Sequence, residues 1–225
     1  MANIQTLIDK LGYTFKSDEL LNEALSHRSS GAFNYERLEF LGDGFLNFTI
    51  ATELFQRRPE EDEGALSRLR ASLVRESTLA EIARELNLGD YLILGKSELG
   101  SGAFNRDSIL SDVVESIIGA VFIESGYEPA RDLVLRLYGN RVENLPPAAQ
   151  LKDPKTRLQE KLQAEGMETP AYEVVEATGK DHEMLFTVRC SVHQLNAKVQ
   201  ATARSKRKAE QAAAEDMLLK LAQIE

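Results

Sequence analysis

The sequence has few cysteines and no long hydrophobic run, and each shortage excludes a class of protein. Its single cysteine, Cys190, cannot form a disulfide within the chain, which favours a reducing cytoplasm. No run of about 18 apolar residues is present, so no membrane-spanning helix is predicted. The first ten residues lack the basic and then apolar layout of a secretory signal. We therefore expect a cytoplasmic protein, long enough at 225 residues for one large domain or two modest ones.

Positive charge is also scarce overall, but it is unevenly distributed. The formal net charge of −9 argues against an anionic partner, because polyanions prefer basic surfaces. Residues 150–225, however, contain 12 lysines and arginines against 12 acidic residues. Residues 1–149 therefore carry the whole excess of negative charge. The chain consists of an acidic first part and a neutral second part.

A segment with two adjacent prolines, Pro146 and Pro147, predicts a boundary between two domains. We expect a first domain over 1–144, a linker over 145–151 that forms neither helix nor strand, and a second domain over 152–225. The apolar spacing in the first domain is helical throughout, except for a glycine-rich connection over 88–106. The first domain is thus predicted to be all-α, with helices over 4–11, 20–25 (after Ser17 as N-cap), 35–57, 64–87 (broken near Ser77), 107–125 and 128–143.

The second domain shows a different pattern, which predicts an α+β fold of order α-β-β-β-α. Asp153 followed by Pro154 is typical of a helix start. Phe186, Val188 and Cys190 alternate with polar residues, as in a half-buried strand. The predicted elements are a helix over 153–165, strands over 171–178, 183–190 and 195–203, and a helix over 205–222. Cys190 is expected in the core.

Two groups of carboxylates in the first domain are candidates for a metal site. In the segment from Glu36 to Phe45, the helical repeat places Glu39 and Asp43 within about 60° of Glu36. Like charges at these spacings repel one another. A solvated acidic face is the simplest interpretation, but the ring of Phe40 lies on the same face, which indicates a contact surface.

The second group, Asp112 and Glu115, lies on a helix that is apolar almost all round. Buried acids are costly unless they are paired or bind a cation. Carboxylates without a histidine or cysteine cluster suit Mg²⁺ or Mn²⁺ rather than zinc. Together, the two groups predict a metal-assisted site for phosphoryl transfer or hydrolysis.

Three cations, Lys206, Arg207 and Lys208, begin the last predicted helix. Cations are unfavourable at a helix N-terminus by about 0.3–1 kcal/mol each, and a bound phosphate would compensate. Solvated lysines are the alternative. No aromatic pair is placed to stack single-stranded bases, so recognition of duplex shape and backbone is favoured.

The whole chain resembles a bacterial ribonuclease III. The segment from Glu36 to Phe45 (ERLEFLGDGF) is similar to the signature of that family, and 112–116 (DVVES) to its second acidic motif. Residues 25–29 and 62–64 also match its nuclease domain, whereas 153–160 and 205–214 match its double-stranded-RNA-binding domain.

The resemblance implies a homodimeric, Mg²⁺-dependent endoribonuclease (with Mn²⁺ able to substitute) that cuts double-stranded RNA in rRNA and mRNA precursors. It implies 5′-phosphate and 3′-hydroxyl ends with a short 3′ overhang. The residues it assigns are the metal-binding catalytic acids Glu39, Asp43, Asp112 and Glu115; the flanking acids Glu36 and Glu63; Phe40 in a pocket of the partner; and the RNA contacts Thr156, Gln159, Glu160, His182, Lys206, Arg207 and Lys208.

Two alternatives belong to other classes of protein. One is a non-cleaving regulator that binds double-stranded RNA, against which the intact acids argue. The other is a metal phosphohydrolase of small nucleotides, against which the appended RNA-binding module argues.

Overall fold

The computed structural model describes residues 3–180 and 183–223. The chain divides into two compact units, Met1–Ala148 and Ala149–Glu225. Within the described residues, no helix combines the length and the apolar character needed to cross a membrane.

The first unit is all-helical, as predicted. Its helices are α1 (Ile4–Leu11), α2 (Asp18–Leu25), α3 (Glu36–Arg57), α4 (Glu63–Val74), α5 (Glu76–Leu86), α6 (Lys96–Gly100), α7 (Asp107–Ser125) and α8 (Tyr127–Tyr138). The break in the fourth predicted helix falls at Arg75, whose backbone is extended, rather than at Ser77. The glycine-rich connection contains α6 between two short 3-10 turns, Leu88–Asp90 and Ala103–Asn105.

Helix α7 is the centre of the first unit. Val113, Val114, Ile117 and Ile118 are each at most 1 % exposed. The hydroxyl of Ser116 is also buried, and it donates hydrogen bonds to backbone carbonyls, one of them Ala24 O at 2.6 Å. The prediction that this helix is buried on almost every side is therefore confirmed.

Helices α3 and α7 touch backbone to backbone through two glycines. A Cβ atom added at Gly42 would overlap the carbonyl oxygen of Glu115, and one added at Gly119 would overlap that of Leu38. Since real side chains cannot approach a carbonyl so closely, these positions require glycine. The close approach also brings the acidic residues of the two helices toward each other.

The second unit is an antiparallel sheet covered by two helices. Its elements are α9 (Pro154–Ala164), β1 (Ala171–Thr178), β2 (Leu185–Val192), β3 (Ala197–Ala203) and α10 (Lys206–Leu221), with strand order β1-β2-β3. Asp153 caps α9 by accepting from the backbone N–H of Thr156. The core includes Leu158, Leu162, Cys190 and Met217. The predicted α-β-β-β-α order and the buried cysteine are confirmed.

Other local predictions were also wrong. Ala148–Leu151 forms a 3-10 turn where neither helix nor strand was expected, and Ala148 is buried. The second strand begins at Leu185 rather than 183, because Gly179, at φ 105°, packs against the backbone of Glu183 and the connecting turn uses that residue. Ser17 is the N-cap residue of α2, as predicted, although its side chain makes no capping hydrogen bond.

Gly42→Ala should destabilise the first unit, because the added methyl group forces α3 and α7 apart. Overpacking of this kind costs about 1–3 kcal/mol, and thermal unfolding followed by circular dichroism measures it. Gly44→Ala is the matched control, since a Cβ at Gly44 has no other atom within 4 Å. An equal loss of stability in both variants would contradict the proposed role of the close approach.

Candidate functional site

Three carboxylates from α3 and α7 meet at the contact between these helices. Oxygen atoms of Glu39, Asp112 and Glu115 all lie within 4.8 Å of one another. Glu39 lies three residues before Gly42, and Glu115 supplies the carbonyl that Gly42 touches. The glycine contact and the acidic group are therefore parts of one arrangement, called the carboxylate triad below.

Asp43 lies beside the triad but outside it. Its side chain is exposed, and its Oδ1 accepts a hydrogen bond of 2.8 Å from Asn47 Nδ2. The charge of Asp43 nevertheless contributes more than any other charge to the raised pKa of Glu115. The structure thus brings three of the four predicted acids together and places the fourth next to them.

The two flanking acids lie in different places. Glu36 is exposed at the start of α3, where Arg28 Nη1 lies 3.6 Å from its Oε1. Glu63, at the start of α4, accepts from Ser67 Oγ and lines a hollow between α3 and α4. Glu63 is not among the residues that line the cavity at Glu39 and Asp112.

Burial and mutual repulsion raise the pKa values of the triad. Burial is the largest cause of the raised pKa of Glu39, followed by the charges of Asp112, Glu36 and Asp43. Together they raise this pKa to about 7. Burial, Asp43, Asp112 and Glu39 raise the pKa of Glu115 to about 8. Burial also raises the pKa of Asp112. An arrangement of this kind favours either bound protons or a bound cation.

The residues present fit a hard divalent cation. The triad offers only carboxylate oxygens, from two rigid helices, and such ligands suit Mg²⁺ or Mn²⁺. A neighbouring group also holds one of these carboxylates in place: the phenol of Tyr35 donates to Asp112 Oδ2 at 3.4 Å, and burial raises the pKa of that phenol. A cation would relieve the repulsion that raises the pKa values of Glu39 and Glu115.

A polar cavity of about 470 Å³ opens beside the triad, and its walls include residues for which the sequence predicted no role. They come from the loop before α3, from α6 and from the segment that begins α7: His27, Arg28, Ser29, Tyr35, Glu98, Arg106, Ser108 and Ile109. Only the match of residues 25–29 to a family motif pointed to this region. The segments that meet here are far apart along the chain, 77 residues in the case of Tyr35 and Asp112, so spacing could not reveal the cavity.

Helix α3 also carries large apolar side chains on its surface. Phe40 is 82 % exposed, Phe48 59 % and Phe55 72 %. Phe55 lines the hollow between α3 and α4, about 410 Å³ in volume, together with Leu54, Leu66 and Glu63. Large rings left in water along one helix are typical of a surface that binds another protein.

In the second unit, the predicted contact residues are exposed at the beginnings of two helices. Thr156, Gln159 and Glu160 lie on α9, and Lys206, Arg207 and Lys208 on the first turn of α10. Gln211 joins the two helix starts, since its amide accepts from Lys155 N and donates to Asp153 Oδ1. Glu160 forms an ion pair of 2.6 Å with Lys152. His182 lies outside the described residues.

Comparison with known proteins supports the same division of the chain. A family model described as Ribonuclease-III-like matches residues 17–142, and one described as Double-stranded RNA binding motif matches residues 154–221. The chain is 54 % identical over 215 residues to Ribonuclease 3 of Vibrio cholerae, covering 96 % of each. It is 53 % identical to Ribonuclease 3 of Alkalilimnicola ehrlichii, covering 96 % of this chain and 94 % of the other.

Two solved structures resemble the first unit. Both are of the nuclease domain of ribonuclease III from Campylobacter jejuni, at 43 % identity. One has a TM-score of 0.62 and covers 65 % of this chain, and the other has a TM-score of 0.61 and covers 64 %. The chain spans all of each. The second of these nuclease domains is described as flexible in a region involved in dimer formation.

Without divalent ions, stability should fall as pH rises between about pH 5 and about pH 8, because the unfolded chain ionises its carboxylates before the folded triad does. A raised folded-state pKa stabilises the fold at low pH, and this contribution is lost as pH approaches about 8 for Glu115. In EDTA, near pH 8, Glu115→Gln should therefore have an unfolding temperature about 2–4 °C above that of the wild type. A gain of roughly 1 kcal/mol in the free energy of unfolding gives a shift of this size in a domain of this length.

The exposed Glu81 on α5 provides the matched control, since Glu81→Gln should leave the dependence on pH unchanged. Differential scanning calorimetry across that range measures both variants. Superimposable curves for Glu115→Gln and wild type would contradict the repulsion within the triad.

Proposed function

The chain belongs to the ribonuclease III family, and on this premise we propose that it is a metal-dependent endoribonuclease of double-stranded RNA. The observation that carries the proposal is the carboxylate triad, in which Glu39, Asp112 and Glu115 converge from two helices. A half-buried group of acids without a cationic partner is costly in a protein that has no cation to bind. Its cost is understandable if the group holds the ions that the reaction uses.

The first unit supplies the chemistry. Glu39, Asp112 and Glu115 would hold Mg²⁺ or Mn²⁺, and Asp43 would join them if its side chain turned away from Asn47. When bound, such an ion would lower the pKa of an attacking water and stabilise charge on the leaving 3′ oxygen. Tyr35 keeps Asp112 oriented through its hydrogen bond. The products are a 5′-phosphate and a 3′-hydroxyl with a short 3′ overhang, and the substrates include rRNA and mRNA precursors.

The second unit supplies affinity for the duplex. The exposed residues of α9 meet a minor groove, His182 meets another, and the cations of α10 meet phosphates of the major groove between them. The adjacency of the two helix starts through Gln211 supports this assignment, because both can then contact one face of a duplex. Phosphate at the start of α10 also offsets the unfavourable cations there.

Helix α3 forms a homodimer by packing against its own copy. The midpoint between Phe40 and Phe55 falls between residues 47 and 48, next to the exposed Phe48. A two-fold axis at this midpoint places Phe40 of one protomer against residue 55 of its partner, roughly 22 Å along the helix. The hollow at Phe55 therefore receives Phe40. Because Glu63 lines that hollow, the same contact brings it toward the partner's triad.

Glu115→Gln should abolish cleavage of duplex RNA in Mg²⁺ while leaving binding of the duplex nearly unchanged, because the substitution removes one ligand but no RNA contact. Cleavage of an end-labelled duplex and equilibrium binding measure the two effects. Glu81→Gln is the control and should cleave normally. Full activity of Glu115→Gln would remove this residue from the site, and a wild type that binds but never cleaves would indicate a regulator instead.

Phe40→Ala should weaken the dimer about 100-fold or more, because each dimer loses two rings that fill a hollow of the partner. Sedimentation velocity over a range of concentrations measures the shift toward monomer. Phe33→Ala is the matched control, since Phe33 is 85 % exposed but lies in the loop before α3 and does not line the hollow at Phe55. A dimer of unchanged affinity in Phe40→Ala would contradict the proposed interface.

A further inference from the structure

The polar cavity beside the triad is lined by side chains of both charges. Its acids are Glu39 and Asp112 of the triad, together with Glu36 and Glu98. Arg28, from the segment after α2, and Arg106, from the residue before α7, line it as well. We call these two arginines the cationic rim. They bring hydrogen-bond donors for an anion into a cavity whose other charged side chains are acids.

The cationic rim has hydrogen-bond donors to spare. Arg28 lies 3.6 Å from Glu36 and Arg106 lies 3.4 Å from Glu98, both long for charged hydrogen bonds. Arg106 also donates to Ser101 Oγ at 2.9 Å. Each guanidinium has five N–H groups, and the two side chains are 72 % and 51 % exposed. Both can therefore turn to an anion in the cavity.

The first turn of α7 opens into the same cavity. Ser108 and Ile109 line it, and no side chain caps the helix. Uncapped N–H groups at the start of a 19-residue helix attract negative charge. The carboxylate of Asp107, which could have satisfied them, instead forms an ion pair with Arg84.

A nearly buried histidine completes this wall. His27 is 9 % exposed and lines the cavity. Its Nδ1 accepts from the backbone N–H of Ser29, so the ring proton of the neutral form is on Nε2. Among the described residues, no group accepts a hydrogen bond from that Nε2. This N–H is therefore available to an acceptor that enters the cavity from outside the chain.

We propose that this cavity seats a second phosphate of the cleaved strand, next to the scissile one, and that Arg28 and Arg106 bind it. The inference rests on the proposed function, because it concerns the same RNA substrate. One strand has phosphates on both sides of the bond that is cut, so a phosphate at the triad places another nearby. The cationic rim then fixes the register of the strand and offsets the repulsion between RNA and the acids.

Duplexes with one neutral methylphosphonate linkage test this assignment. In a series of duplexes, the neutral linkage is placed in turn at each position that flanks the scissile bond, next to a 2′-O-methyl sugar. The reference duplex for each position has the same 2′-O-methyl sugar but keeps the phosphate. In the wild type, one flanking position should lower kcat/KM about tenfold or more, the scale of a charged hydrogen-bonded contact. The double variant Arg28→Ala/Arg106→Ala should have a kcat/KM on the reference duplex that is lower than that of the wild type by a similar factor. The neutral linkage at the sensitive position should not lower the kcat/KM of this variant any further.

Arg37→Ala is the matched control. Arg37 is exposed on the same turn of α3 as Glu36 but does not line the cavity, so this variant should keep the full sensitivity to the neutral linkage. Equilibrium binding of the same duplexes in Ca²⁺ gives a readout that does not depend on cleavage. Thermal unfolding checks that the truncated variants remain folded. If the double variant is unfolded, the test is repeated with Arg28→Ala and with Arg106→Ala separately.

Two results would overturn the inference. One is a wild type that tolerates the neutral linkage at every flanking position. The other is a double variant whose sensitivity matches that of Arg37→Ala, which would mean that the rim arginines only neutralise Glu36 and Glu98. In both cases the wild type still cleaves the duplex. A wild type that cleaves no duplex at all contradicts the proposed function itself.

Discussion

The backbone contact between α3 and α7 determines the site. Gly42 and Gly119 let two helices approach until the backbone of each touches the other. At an ordinary separation of 8–10 Å between helix axes, side chains would fill the space between them. Here the helices come close enough for Glu39 to reach Asp112 and Glu115. The chemistry of the site therefore depends on two residues that have no side chain.

The same contact makes the metal-free site unfavourable. The triad lies where α3 packs against the largely buried α7, so its carboxylates lose water and repel one another, and their pKa values rise. The buried apolar surface of α7 offsets this cost, because it anchors most of the helix in the core. Stability and function are thus divided along one helix, with the core on most of its faces and the acids on the remaining one.

Much of this arrangement follows from local sequence patterns. Helical periodicity predicted α3 and α7 and placed their acids on defined faces, and alternation predicted the sheet around Cys190. Local patterns could not predict what depends on contacts between distant segments. The orientation of Asp43 toward Asn47 is a choice of rotamer. The cavity between Arg28 and Arg106 exists only once the loop before α3 packs against the start of α7. The shift of β2 depends on how Gly179 packs against Glu183.

The uneven distribution of charge follows from the division of labour between the two units. A site built from acids repels a polyanion, so the first unit alone is poorly suited to capture RNA. The exposed cations at the start of α10 belong to the second unit, whose net charge is neutral. Because the two units belong to one chain, binding of a duplex by the second unit raises the effective concentration of that duplex at the first unit. The overall charge of −9 is therefore compatible with binding an anionic substrate, because affinity and catalysis belong to different units.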